Sequence, residues 1–150
     1  MAYDSISNSV RYDRIKILVV DDNSYMRLII VTILRSFGVQ KIFECRDGTE
    51  GLLAMQRHSI DVVMTDLKMW PMDGIEFVRR LRSGTCSRSR QVPVVMISAD
   101  ATLARITEAR DASVDQFIAK PLSPRRLVQG LHHAIFYPRP NVVYEEVLIG

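Results

Sequence analysis

The 150-residue sequence predicts an α/β fold, a doubly wound five-stranded parallel sheet covered by helices on both faces. Three observations predict it. Short apolar runs alternate with stretches of helical period, the order that builds successive βαβ units. The run Val62-Val63-Met64 reads as a strand buried on both faces, which a central parallel strand requires. The polar residues that end the runs, Asp21 and Asp22, Asp66, Ser98 and Lys120, would then converge on one edge of the sheet, where such folds open their ligand crevice.

In chain order, residues 1–14 are polar, mixed in charge and without period, and read as a flexible N-terminal arm. Ile15-Lys16-Ile17-Leu18-Val19-Val20 is the first strand. Asn23 or Ser24 can cap a helix whose apolar residues Met26, Ile29, Ile30, Ile33, Leu34 and Phe37 share one face, and Gly38 stops it. Lys41–Cys45 is a short strand, followed by a helix from about Thr49 to His58 and then by the strand ending in Asp66. Asp73 can cap the next helix, in which Ile75, Val78 and Leu81 share a face while Arg79, Arg80 and Arg82 point to water. Ser83 to Gln91 has no period and reads as a loop. Val92–Ile97 is the fourth strand, with Pro93 tolerable at its beginning. A helix over 102–112, a strand over 116–119 and a helix from Pro124 to Ile135, with Leu127, Leu131 and Ile135 on one face, complete five strands and five helices.

With 47% hydrophobic and 25% charged residues the chain suits one domain with a real core and leaves no room for a second. The net charge of +3 is spread along the chain, so a solvated surface is preferred to a nucleic-acid site. Cys45 and Cys86 lie far apart, lack metal-ligand spacing and read as reduced thiols. No leader pattern and no bilayer-length apolar run is seen, so a cytoplasmic protein is expected.

Three carboxylates at one edge repel one another unless a cation neutralises them, and a hard divalent ion such as Mg²⁺ suits an all-oxygen donor set. Together with the Lys120 ammonium, the ion nearly balances Asp21, Asp22 and Asp66 and leaves a place for a phosphoryl group. A carboxylate is an established nucleophile for forming an acyl phosphate, and Ser98 can donate a hydrogen bond to a phosphoryl oxygen.

Asp21-Asp22, Asp66 within Asp-Leu-Lys-Met, Met72-Asp73-Gly74, Ser98-Ala99, Phe117 and Lys120-Pro121 occur in this order over about residues 15–135. In these positions the sequence resembles a bacterial response-regulator receiver of the chemotaxis-regulator type. The resemblance implies the flavodoxin-like strand order 2-1-3-4-5 and a phosphoacceptor signalling protein, not a classical enzyme, that assists only its own phosphorylation and dephosphorylation. It implies that Asp66 accepts phosphate from a histidine kinase or a histidine phosphotransfer protein. Asp22, Asp66 and the carbonyl of Lys68 would hold Mg²⁺, with Asp21 acting through water, and Lys120 would pair with the phosphoryl group across a cis Lys120-Pro121 bond. Ser98 and Phe117 would move together as the switch, and a downstream protein would bind the face around Phe117.

Three departures from the family pattern stand out. Trp70 occupies the usual place of a proline and is expected to lie exposed beside the site, either packing over the loop or meeting a partner. Lys68 can pair with Asp100, cover the phosphoryl group, or extend into solvent. Phe117 lacks the hydroxyl of the tyrosine that is common there. His58, His132 and His133 suggest no shared role. Residues 136–150 leave no space for an effector domain, and the apolar stretch Val142–Ile149 is expected to dock as an extra strand or on a neighbour, which leaves a homodimer open. The rival readings are a phosphate-independent binding module and a dehalogenase-type phosphatase. The phosphatase would need an acid where Lys68 stands.

Overall fold

The structure, a computed structural model, describes residues 11–84 and 86–138. Its elements are β1 (Lys16–Val20), α1 (Ser24–Ser36), β2 (Lys41–Cys45), α2 (Gly48–Arg57), β3 (Val62–Asp66), α3 (Gly74–Ser83), α4 (Ser87–Gln91), β4 (Val94–Ser98), α5 (Leu103–Asp111), β5 (Gln116–Ala119) and α6 (Pro124–Phe136). All strand pairs are parallel and the order is β2-β1-β3-β4-β5, as expected.

Successive strand residues point to opposite faces, so the sheet divides the core in two. Leu18, Val20, Val63, Val94, Met96 and Phe117 pack under Met55 of α2, the apolar stripe of α3 and Ile106 and Ala109 of α5. Ile17, Val19, Val62, Met64, Val95, Ile97 and Ile118 pack under Ile30 and Leu34 of α1 and Leu127, Leu131 and Ala134 of α6. This double burial explains why the central strands are apolar without alternation.

Each long helix starts at the carboxyl edge of the sheet with a side-chain cap. Asn23 accepts from the Tyr25 and Met26 amides, Asp47 from Glu50, Asp73 from Glu76, Thr102 from Arg105 and Ser123 from Arg126. These caps satisfy amides that a helix start otherwise leaves without partners, and they fix where the chain turns after each strand.

Three expectations are corrected. The stretch expected as a loop contains the short helix α4, so there are six helices among the described residues; its polar sequence carries no apolar period, and only Ser89 of it is buried. Arg82 does not point to water. Its guanidinium donates to the carbonyls of Val92 at 2.6 Å and Ser113 at 2.7 Å and pairs with the buried Asp115 at 3.1 Å. Packing also starts before the expected boundary at residue 15, because Tyr12 is only 4% exposed and joins the α1–α6 side of the core. The expected docking of Val142–Ile149 lies outside the described residues.

Candidate functional site

Register builds the site. Val20 of β1 lies beside Thr65 of β3, so the next residues, Asp21 and Asp66, leave the sheet side by side. Asp66 lies beside Ile97 of β4, and Ser98 beside Ala119 of β5, which carries Lys120 forward to the same edge. One carboxylate oxygen from each of Asp21, Asp22 and Asp66 falls within 4.8 Å of the others.

Asp21 is 1% exposed; its amide donates to the Cys45 carbonyl at 3.0 Å, and its Oδ1 accepts from the Asn23 amide at 2.9 Å. Burial pushes its carboxyl up to about 6, against the Asn23 hydrogen bond and with the help of the Asp66 charge. Asp22 is exposed at the mouth of the site. Asp66 Oδ1 accepts from the Leu67 amide at 2.8 Å, and its Oδ2 stands 3.6 Å from Lys120 Nζ. Burial raises the Asp66 carboxyl above its ordinary value, while the Lys120 charge and the Leu67 and Lys68 amides hold it down. The donor set is all oxygen, compact and rich in negative charge, and it faces the Lys120 ammonium. That chemistry fits a small hard dication.

Ser98 is buried, and its Oγ accepts from the Asp100 amide at 3.0 Å, so its own O–H remains free to donate elsewhere. The Asp100 carboxylate accepts from the Thr102 hydroxyl at 3.1 Å and pairs with Lys68 at 3.9 Å and Arg105 at 3.6 Å. Lys68 reaches Asp100 only at that distance and is otherwise in solvent, its side chain 68% exposed. Phe117 is 1% exposed and lies below the edge, on the α5 side of the core. Trp70 is 81% exposed in the loop after Asp66. The Lys120-Pro121 peptide is cis, and so is Trp70-Pro71. The histidines lie away from the carboxylates: His58 stacks on Phe43, and His132 packs near Phe136.

Sequence reasoning named Gly74 only as a motif member and passed over Arg27. A Cβ at Gly74 would collide with the Asp66 carbonyl oxygen, and the Gly74 amide donates to the Leu67 carbonyl at 2.7 Å, so only glycine lets α3 begin so close to Asp66. A glycine directly after the capping Asp73 was the available signal. Arg27 donates to the Asp21 carbonyl at 2.5 Å. Its three-four spacing to Ile30, Val31 and Leu34 put it on the buried stripe of α1 and could have revealed it.

A parallel sheet in this order, with a carboxylate cluster and a lysine at its carboxyl edge, defines a receiver-type domain. The chain belongs to the response regulator receiver domain family, which matches residues 17–132. It is similar to chemotaxis protein CheY of Pseudomonas aeruginosa, with 38% identity over 112 residues covering 75% of this chain and 89% of that protein. It is also similar to chemotaxis protein CheY-3 of Vibrio cholerae, 36% identical over 116 residues covering 77% and 88% of the two chains. Among solved structures, chemotaxis response regulator CheY4 of Vibrio cholerae superposes with a TM-score of 0.73 at 26% identity, over 80% of this chain and 98% of that one. The CheX–CheY–BeF₃–Mg²⁺ complex from Borrelia burgdorferi contains a chain that superposes with a TM-score of 0.76 at 26% identity, covering 87% and 97%. Among the described residues no helix is long and apolar enough to cross a membrane.

Proposed function

We propose that this protein is a phosphoacceptor that takes a phosphoryl group on Asp66 from a histidine kinase or histidine phosphotransfer protein and signals through contacts with other proteins. The observation that carries this reading is the Asp66 carboxylate held beside Asp21, Asp22 and Lys120 at the carboxyl edge of the sheet. A solved relative bound to BeF₃ and Mg²⁺ supports it.

Asp21, Asp22, Asp66 and the Lys68 carbonyl would hold Mg²⁺. When bound, the ion offsets the carboxylate repulsion and charge on the phosphoryl oxygens. A carboxylate oxygen of Asp66 forms the new bond to phosphorus, and the bond to the donor breaks, its electron pair leaving with the donor. Lys120 stabilises the charge that gathers on the phosphoryl oxygens. Ser98 turns its free O–H to one of those oxygens, and the Asp100 amide that donates to its Oγ is drawn with it. Because Asp100 also holds Lys68 and Arg105, that movement reaches the start of α5. A downstream protein would bind the face formed by α5, β5 and α6 around Phe117.

The test is intact mass after incubation with Mg²⁺ and a small acyl-phosphate donor. Gain of one phosphoryl group by the native chain and none by Asp66→Asn is the expected result. No gain by the native chain would leave a phosphate-independent binding module as the better reading.

A further inference from the structure

We propose that Arg27 is a positioning residue whose guanidinium locks the Asp21-Asp22 turn so that both carboxylates face Asp66; the inference rests on the metal-assisted reading above. The stem of Arg27 runs along the buried stripe of α1, and its side chain is 14% exposed. A guanidinium stays charged at any accessible pH, so one this buried must be held by partners. They are the Asp21 carbonyl, which accepts from Nη1 at 2.5 Å, and the half-exposed Glu44 carboxylate of β2, an ion pair 3.4 Å from Nε that makes no hydrogen bond to it.

Asp21 is thereby fixed at three points. Its amide reaches the Cys45 carbonyl, its carbonyl takes the Arg27 hydrogen bond, and its Oδ1 takes the Asn23 amide. Glu44 steadies the guanidinium from the sheet edge. The peptide that joins Asp21 to Asp22 is the one whose carbonyl Arg27 holds, so its orientation sets where the Asp22 carboxylate starts from.

Arg27 could act on a dication in two opposed ways. As a nearby positive charge it would weaken cation binding, and its loss would tighten it. As a clamp on the turn it would strengthen binding, and its loss would loosen it. The geometry selects the clamp: the hydrogen bond goes to the backbone carbonyl of Asp21 and not to a carboxylate of the site.

The test uses the full chain with Arg27→Gln, Arg27→Lys and Glu44→Gln. Mg²⁺ affinity is read by calorimetry and by the fluorescence of Trp70, the sole tryptophan. Hydrogen exchange of the Asn23 amide is read by NMR in the metal-free protein. Arg27→Gln should weaken Mg²⁺ binding by about 10- to 100-fold, the usual range for a residue that orients a ligand, and should speed Asn23 exchange. Arg27→Lys, which can still donate to the carbonyl, should recover most of both. Glu44→Gln should shift both readouts the same way, and it decides the matter if Arg27→Gln does not fold. Unchanged or tighter Mg²⁺ binding with unchanged exchange would overturn the proposal. If the native chain takes up no Mg²⁺, the reading of the site fails, and the metal-free exchange still decides whether Arg27 positions the turn.

Discussion

Lys120 Nζ stands 3.6 Å from Asp66 Oδ2, although the two residues leave strands separated by β4. The ammonium is the cation that burial of Asp66 calls for, and it lies where charge would gather during phosphoryl transfer.

Lys120→Met keeps most of the stem and removes the charge. The rate of phosphoryl uptake from a small donor should fall by about 10²-fold or more, the usual loss when one electrostatic stabiliser is removed. Initial rates of mass gain at saturating Mg²⁺ check this, and an unchanged thermal midpoint would show that the fold is kept.

The buried Asp21 carboxyl, pushed up to about 6, makes metal-free stability depend on pH. Its ordinary value is 3.8, so between about 4 and 6 the native state holds a proton that the unfolded chain has released. Stability is therefore present below about pH 4 and is lost as pH rises through about 6, by up to roughly 3 kcal/mol at 1.36 kcal/mol per unit. Urea midpoints in chelator should show this contribution falling between pH 4 and 7 in the native chain and absent in Asp21→Asn, which should be the more stable protein at pH 7.

Arg82 and the buried Asp115 form a part-buried pair, with Asp115 also accepting from the Val94 amide at 2.7 Å. Asp115→Ala should lower unfolding stability by about 2–4 kcal/mol, because it removes the counter-charge of a mostly buried guanidinium and the acceptor of the Val94 amide. Breaking the exposed Glu76–Arg80 pair with Arg80→Ala should change stability by less than about 1 kcal/mol. Denaturant titrations of the two variants check the contrast.

The thiols should differ in reactivity. Burial pushes the Cys45 thiol up to about 11, while the Ser89 and Arg88 amides lower that of the exposed Cys86. Iodoacetamide at mildly alkaline pH should alkylate Cys86 first, and peptide mass mapping should find Cys45 unmodified until the protein unfolds.

The site residues could be read from the sequence because parallel strands buried on both faces are continuous apolar runs, and the first polar residue after each marks the carboxyl edge. Asp21, Asp66, Ser98 and Lys120 were legible on that ground alone, and Asn23 and Asp73 as caps followed from side-chain type and place. What was illegible depended on long side chains or close approach. Arg82 sits among charged neighbours that do face water, and nothing local shows that it alone reaches Val92, Ser113 and Asp115 across the fold. The pairing of Lys68 with Asp100 was one of several readings of Lys68, but that Arg105 shares the same carboxylate was not, because these are exposed or half-exposed groups and periodicity carries no trace of the contact. Gly74 was visible as a motif member, but its reason, the Asp66 carbonyl against it, appears only when α3 is packed on β3.

The most direct measurement is to locate the phosphoryl group. An aspartyl phosphate formed in the presence of Mg²⁺ and an acyl-phosphate donor is reduced by borohydride to homoserine, and tandem mass spectrometry then reads the modified position. Homoserine at residue 66, with Asp21 and Asp22 intact, is the predicted result. Homoserine at another carboxylate, or none at all under conditions in which Mg²⁺ binds, would contradict Asp66 as the phosphoacceptor.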